Sequence, residues 1–124
     1  MTLLDTCILI DVLRGRQPAI DFVAGLSDVP ALSVITATEL VAGVRSPAER
    51  RHIDHLLDTY AVHAIDLEVA ALAGDYERQY GRSHAVDPVD SLIAATAKVA
   101  KADLATLNTK HFPMFAGLKP AYRL

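Results

Sequence analysis

The segment LLDTCILIDVLRG, residues 3–15, carries the pattern from which the fold is predicted. Two leucines precede Asp5 and form a short apolar run that is typical of a buried strand. Residues 7–13 favour a helix, and Arg14-Gly15 ends it. A strand that passes directly into a helix suggests the β–α order of a parallel sheet.

The same alternation of short apolar runs and helical stretches continues along the chain. Further strands are predicted at residues 31–34, 62–65 and 104–107, with a candidate edge strand near residues 122–123. Further helices are predicted at residues 18–26, 36–44, 47–60, 67–80 and 87–101. This order predicts an α/β fold with a parallel sheet flanked by helices. Because no repeat or linker interrupts it, residues 1–124 are expected to form a single domain.

Composition and charge narrow the class of protein. With 124 residues, 52% hydrophobic and 22% charged, the chain can bury a core without disulfide bonds. The single cysteine, Cys7, excludes an internal disulfide, so the cytoplasm is the expected compartment. We expect no signal peptide, because residues 1–5 have no basic leader and include an acid. We expect no membrane span, because no apolar run approaches about 18 residues.

The net charge of −3 is not that of a general nucleic-acid binder. Action on nucleic acid would need local cationic side chains, or metal ions, to offset the repulsion of phosphates. The candidates for local positive charge are Arg14, Arg16, Arg45 and Lys110. For each of them, contact with a nucleic-acid phosphate is about as well supported as a structural role, either as a solvated surface charge or as a partner of a helix C-terminus.

Three acids fall at predicted junctions between strands and helices. Asp5 follows the first strand, Glu39 lies in the first turn of the helix after the second strand, and Asp90 lies in the first turn of the helix before the fourth. The carboxyl ends of parallel strands meet at one edge of a sheet, so these side chains are expected to face one another. Mutually repelling carboxylates favour a hard divalent cation such as Mg²⁺ or Mn²⁺. Such a site suits phosphodiester hydrolysis.

Each acid also has a structural explanation. Asp5 is a candidate N-cap, residues 36–39 fit a capping box closed by Glu39, and Asp87-Pro88 resembles a capped helix start with Asp90 in its first turn. Taken singly, these explanations are the stronger ones. Taken together, the three acids keep the metal-site hypothesis open, and the residues alone do not decide between the two.

Four segments resemble the motifs of PIN-domain proteins, in particular the VapC-type toxins of bacterial type II toxin–antitoxin pairs. They are residues 3–15, ITATEL at 35–40 followed by Gly43, DSLIAATA at 90–97, and TLNTKHF at 106–112. The segments stand in the order and at the spacing of that family. One motif would be weak evidence, whereas four in order are specific.

The resemblance implies a three-layer α/β/α sandwich with a mostly parallel sheet, and an Mg²⁺- or Mn²⁺-dependent endoribonuclease that acts as a toxin by inhibiting translation or growth. In the family, the acids that match Asp5, Glu39 and Asp90 form the metal site. Thr6 matches a supporting polar position. The fourth motif often holds a further acid, where this chain has Asn108 and His111, so a second metal site is in doubt. Thr106, Asp87 and Arg14 are further candidates for supporting roles.

The resemblance also implies partners: an RNA substrate, a VapB-type antitoxin and a second copy of the chain in a homodimer. Tyr60, Tyr76 and Tyr80 would suit an interface, although an ordinary core face explains them too. A histidine-based mechanism is unsupported because the five histidines show no catalytic grouping, and Cys7 is expected in the core. The alternatives are a PIN nuclease that works without an antitoxin, and a catalytically inactive PIN-like binding module whose acids are helix caps.

Overall fold

A computed structural model describes residues 1–123 of the chain. Its centre is a four-stranded sheet in the order β3-β2-β1-β4, in which every pairing is parallel. The strands are β1 (Thr2–Leu4), β2 (Ala31–Ser33), β3 (Ala61–His63) and β4 (Asp103–Ala105). Because β1 lies inside the sheet and β4 pairs with its free side, the strand order reverses between β1 and β4. The carboxyl ends of strands at such a reversal border a crevice.

Helices occupy the connections between the strands. They are α1 (Thr6–Leu13), α2 (Gln17–Ala24), α3 (Val34–Ala42), α4 (Pro47–Thr59), α5 (Leu67–Tyr80) and α6 (Pro88–Val99), and a 3₁₀ turn, Thr109–His111, follows β4. Every predicted helix is present, and the helix ends lie within two residues of their predicted positions.

The sheet packs on both faces, because neighbouring side chains of a strand point to opposite sides. Leu4 faces a core that contains Ile8 of α1 and Ile53 of α4. Leu3 faces the other side, where it packs with Ile93 of α6. Helix α5 forms an outer contact with α6 through Val69 and Ala73. The predicted three-layer α/β/α architecture is therefore confirmed.

Helix α3 begins two residues earlier than predicted. Its N-cap is Ser33, whose Oγ accepts from the Ile35 N–H at 3.3 Å. The predicted capping box at residues 36–39 is therefore wrong, and Glu39 lies in the second turn of the helix. The cause is the immediate passage from β2 into the helix, which makes the last strand residue the cap.

The predicted edge strand near Tyr122 and Arg123 is also wrong, since residues 121–123 form no strand. The tail nevertheless contacts the sheet, because Ala121 N–H donates to the Thr106 carbonyl at 3.0 Å. The Tyr122 hydroxyl donates to Asp11 Oδ2 of α1 at 2.8 Å. Within residues 1–123, no helix is long and apolar enough to cross a membrane.

Candidate active site

The three predicted acids line one pocket at the carboxyl edge of the sheet. Asp5 directly follows β1, and its N–H donates to the carbonyl of Ala105, the last residue of β4, at 2.9 Å. Helix α3 contributes Glu39, and the first turn of α6 contributes Asp90. The pocket has a volume of about 200 Å³, and its lining includes Asp5, Thr6, Cys7, Ile10, Glu39, Asp87, Val89, Asp90, Ile93 and Asn108. The expected convergence of the acids is thus present.

Asp5 is the most buried of these acids, with 5% of its surface exposed. Its Oδ1 accepts from the Thr6 N–H at 2.8 Å, so the predicted N-cap of α1 is confirmed. Its Oδ2 accepts from the hydroxyl of Thr106 at 2.7 Å. Thr106 is fully buried and directly follows β4. The carboxylate is therefore held in a fixed orientation by the residues that directly follow β1 and β4. It caps α1 and still lines the pocket.

Glu39 is joined to the first acid through Thr6. The Thr6 hydroxyl donates to Glu39 Oε1 at 2.6 Å and also lies 3.0 Å from Thr36 Oγ1. Because Thr6 follows Asp5 in the chain, one short segment positions two carboxylates. The sequence indicated a supporting role for Thr6, but it assigned Thr36 only to a helix cap. One turn of helix separates Thr36 from Glu39, which places both side chains on the face toward α1.

Asp87 is the N-cap of α6, as predicted, and it forms a reciprocal capping box with Asp90. Asp90 N–H donates to Asp87 Oδ1 at 2.8 Å, and Asp87 N–H donates to Asp90 Oδ2 at 3.4 Å. Burial, and then the neighbouring charge of Asp87, raise the pKa of Asp90 from 3.8 to about 6. Asp5 adds to this rise. Asp5, at the end of β1, and Asp90, at the start of α6, therefore repel each other across the pocket.

His111 also reaches this site. Its Nδ1 lies 3.4 Å from Asp90 Oδ2, and the proximity of the imidazole partly offsets the rise in the Asp90 pKa. The sequence left open whether His111 contributes, because a lone histidine gives no spacing signal. The 3₁₀ turn after β4 is what brings it to the pocket.

Asn108 stands at the mouth of the pocket. Its N–H donates to the Thr106 hydroxyl oxygen at 3.0 Å, which fixes the backbone directly after β4. Its exposed side chain lines the pocket beside the three acids. An amide there supplies an oxygen ligand or a hydrogen-bond donor without adding negative charge.

Cys7, which was predicted in the core, packs against it but is only partly buried. It is partly exposed, lines the pocket and lies 3.4 Å from Asp5 Oδ2 through its Sγ. Burial, and then the charge of Asp5, raise the pKa of the thiol to about 11. The group is therefore a protonated thiol at neutral pH, which makes a poor nucleophile.

The predicted cationic residues are mostly distant from the acids. Arg14 is the C-cap of α1, so the full length of an eight-residue helix, about 12 Å, separates it from the N-cap Asp5. Arg16 pairs with Asp11 at 3.3 Å, and Arg45 pairs with Glu49 at 3.1 Å. Arg14 therefore does not line this pocket, and its predicted supporting role, contact with RNA phosphates, stays a prediction. Lys110 lines a small depression next to the pocket, together with Asn108.

The oxygen donors fit a hard divalent cation, with a restriction on how many of them bind directly. Asp5 and Asp90 supply carboxylates, and Asn108 supplies a neutral amide. A positive ion would relieve the repulsion between the two carboxylates. Among residues 1–123, however, no three His, Cys, Asp or Glu side chains are arranged so that they could hold an ion directly. Mg²⁺ commonly binds through one or two carboxylates and retains waters, which suits two direct ligands with Glu39 behind a water.

Comparisons with known proteins agree with this fold. The PIN domain profile matches residues 2–117. The chain is 46% identical to "Ribonuclease VapC10" of Mycobacterium tuberculosis, over 98% of this chain and 93% of that protein. It is 40% identical to "Ribonuclease VapC19" of the same species, over 98% of this chain and 100% of that protein. A solved "Toxin-antitoxin complex from Klebsiella pneumoniae" superposes with a TM-score of 0.87 at 27% identity, over 100% of both chains.

The chain therefore belongs to the PIN-domain family. Within that family, its relatives at 46% and 40% identity are of the VapC type, which confirms the resemblance found in the four sequence motifs.

Proposed function

We propose that the protein is an endoribonuclease, dependent on Mg²⁺ or Mn²⁺, and the toxin of a VapBC-type toxin–antitoxin pair. The observation that carries the proposal is the convergence of Asp5, Glu39 and Asp90 in one pocket at the carboxyl edge of the sheet. The two VapC relatives are named ribonucleases, which supports ribonuclease activity. The superposed Klebsiella pneumoniae chain belongs to a toxin–antitoxin complex, which supports an antitoxin partner.

In this proposal Asp5 and Asp90 hold the metal, and Asn108 assists them from the mouth of the pocket. The bound ion would offset the charge of the scissile phosphate and make water a better nucleophile. The buried Thr106 hydroxyl and the Thr6 N–H keep both oxygens of Asp5 in place before RNA arrives. This preorganisation lowers the cost of ordering the site during the reaction.

Glu39 is assigned the proton-accepting role. Its Oε1 is held by Thr6, so the carboxylate has a fixed direction although the residue is exposed at the pocket rim. A carboxylate at this place is suited to accept a proton from the attacking water. Asp87 is assigned the positioning of Asp90 through the capping box rather than direct binding.

The antitoxin and a second copy of the chain are proposed as protein partners. Tyr76 and Tyr80 of α5 are partly exposed and their ring centroids lie 6.3 Å apart. Tyr60, at the end of α4, is likewise partly exposed. Large amphipathic side chains of this kind are enriched in protein interfaces. Light scattering of the purified chain measures the homodimer, and co-expression with the product of an adjacent small gene tests the antitoxin.

The catalytic proposal is tested by incubating the purified protein with cellular RNA, with and without Mg²⁺ or Mn²⁺. We expect discrete fragments that require the metal and disappear in Asp5→Asn and Asp90→Asn. A matched control is Asp58→Asn, which removes the same charge from an exposed position on α4. Removal of one catalytic ligand typically costs at least about 10²-fold in rate, so the variants and the control should separate clearly.

Two other outcomes point to the alternatives. Equal behaviour of wild type, Asp5→Asn and Asp90→Asn would remove the catalytic assignment and favour an inactive PIN-like module in which these acids are caps. Metal-dependent cleavage without an inhibitory antitoxin would instead indicate a PIN nuclease that works alone in nucleic-acid processing. Thermal unfolding in the presence of EDTA or excess Mg²⁺ adds an independent readout, because an ion that binds only the folded protein raises its melting temperature.

A further inference from the structure

A second pocket, which we call the lysine pocket, lies at the amino end of β4. It has a volume of about 690 Å³, and its lining includes Lys98, Lys101, Asp103, Phe115, Gly117 and Lys119. The chain contains four lysines in all, at positions 98, 101, 110 and 119. Three of the four therefore converge on this pocket. Of the four lysines, only Lys110 was among the predicted cation candidates. Lys119 stands 18 residues after Lys101 and joins it only through the fold.

The backbone on both sides of the lysine pocket is fixed. Helix α6 ends beside it, where Ala102 N–H donates to the Ala97 carbonyl at 2.9 Å and Lys101 adopts a left-handed conformation with φ of 55°. On the opposite side, Gly117 has φ of 71° and turns the tail so that Lys119 joins the lining. Phe115 lies between these two sides, and Lys98 Nζ is 4.3 Å from the centroid of its ring. This cation–π contact holds one ammonium group at the pocket wall.

The charge of the lysine pocket is opposite to that of the chain. Its lining contains three lysines and one acid, Asp103, in a protein with a net charge of −3. Lysines near the end of α6 are partly explained by the helix dipole, which favours cations there. That explanation does not extend to Lys119, which belongs to the tail. A concentration of ammonium groups in a concave site is suited to bind phosphate groups.

The lysine pocket and the pocket of Asp5, Glu39 and Asp90, which we call the acid pocket, lie at the two ends of the edge strand β4. Asp103 begins β4 and Thr106 follows it, so at about 3.3 Å per residue the ends are about 10 Å apart. The 3₁₀ turn with Lys110 begins at the acid pocket, and the segment after it continues to Phe115 and Lys119 in the lysine pocket. All four lysines therefore lie near the β4 edge of the sheet.

We propose that the lysine pocket binds the phosphodiester backbone of the RNA substrate at nucleotides away from the scissile bond. This inference rests on the proposed function, because it takes RNA to be the polyanion that enters the acid pocket. RNA then lies along the β4 side, with the acids at one end and the lysines at the other. The site gives affinity without sequence preference, since lysine contacts to phosphate carry no information about the bases.

The test is binding of a fluorescently labelled single-stranded RNA in EDTA, measured by anisotropy over a range of salt concentrations. The test variant combines Lys98→Gln, Lys101→Asn and Lys119→Gln, where asparagine is chosen because it tolerates the left-handed conformation. The control variant combines Arg50→Gln, Arg51→Gln and Arg78→Gln, which removes the same charge from exposed positions on α4 and α5. The ion pairs that the control removes are exposed and contribute little to stability.

We expect the lysine variant to bind a long RNA at least about tenfold more weakly than the control variant. Its slope of log affinity against log salt should fall by about 2, at about 0.7 for each phosphate that is no longer neutralised. A short oligonucleotide with a non-hydrolysable backbone that fills only the acid pocket, measured with Mg²⁺ in place of EDTA so that the acids can hold a phosphate, should bind the lysine and control variants equally. Lys119→Gln alone, in the exposed tail, should lower the slope by about 0.7 and provides the test if the triple variant does not fold.

Equal binding of the long RNA by the lysine and control variants would overturn the inference, as would equal weakening of the long and the short RNA. Absence of RNA binding by the wild type would overturn it as well. The cleavage assay is a separate measurement. Lysine-dependent binding without metal-dependent cleavage would support RNA binding by the lysine pocket, while the proposed catalytic function fails. Metal-dependent cleavage without lysine-dependent binding would support the catalytic function, while RNA binding by the lysine pocket fails.

Discussion

At the scale of single residues, Thr6 supports two acids of the candidate site, its neighbour Asp5 and the distant Glu39. Its N–H donates to Asp5 and its hydroxyl donates to Glu39, so one residue fixes the orientation of two carboxylates. Thr6 is 8% exposed, and its hydroxyl also contacts that of Thr36. Outer-sphere groups of this kind commonly tune the ligands that they hold.

We therefore expect Thr6→Val, which keeps the shape of the side chain and removes the hydroxyl, to lower kcat for RNA cleavage by about 10- to 100-fold. KM should change less, because RNA phosphates do not depend on this hydroxyl. Thr6→Ser restores the hydroxyl and should recover most of the rate. A serine variant as slow as the valine variant, or a valine variant as fast as wild type, would contradict this role.

At the scale of elements, the point at which a helix begins decides which side chains face the acid pocket. Ser33 ends β2 and caps α3, so Glu39 falls in the second turn rather than the first. Ser33 is fully buried, and the Thr96 hydroxyl of α6 lies 3.2 Å from its Oγ. One side chain therefore connects β2 with α3, which carries Glu39, and with α6, which carries Asp90.

We predict that Ser33→Ala lowers the free energy of unfolding by about 1 to 2 kcal/mol, because it removes an N-cap at a buried position. The measurement is equilibrium unfolding in urea. The dependence of the unfolding free energy on urea concentration, the m-value, should be the same for wild type and variant. Ser27→Ala provides the control, since Ser27 is an exposed loop residue, and it should change stability by less than about 0.5 kcal/mol. Equal stability of the two variants would show that the cap contributes nothing.

At the scale of the whole molecule, the tail connects layers that are distant in sequence. Tyr122 packs against Phe22 of α2, with ring centroids 5.9 Å apart, and its hydroxyl donates to Asp11 of α1. Burial, followed by the hydrogen bond to the Asp11 carboxylate, raises the pKa of the Tyr122 phenol well above its ordinary value near 10. The tail thus covers one side of the sheet although it is not a strand.

We expect Tyr122→Phe to lower the free energy of unfolding by about 0.5 to 1.5 kcal/mol at neutral pH, the usual contribution of one hydrogen bond. The folded state holds the phenol proton more tightly than the unfolded state does. The contribution of this tyrosine is therefore fully present below about pH 10 and decreases as the pH rises above the ordinary tyrosine value. The difference in melting temperature between wild type and Tyr122→Phe should shrink as the pH is raised through that range. A constant difference would contradict the assigned hydrogen bond.

The sequence by itself determined the α/β class, the number and order of the main elements, and the acids of the candidate site. It did so because hydrophobic periodicity and helix-start residues are local signals, and because Asp5 and Asp90 lie at the ends of elements that such signals define. Glu39 was found by its motif, although its place in the helix was predicted one turn too early.

Only the tertiary structure decided which side chains meet. The bonds from Thr106 to Asp5 and from Thr6 to Glu39 join residues 101 and 33 positions apart, and no local pattern encodes such contacts. The same holds for His111 beside Asp90, and for Cys7, whose Sγ lies 4.0 Å from Thr106 Oγ1. The lysine pocket exists because two backbone turns and a parallel edge strand bring the end of α6 and the tail together. The order of strands in the sheet sets these distances, and that order follows from how the whole chain packs around its core.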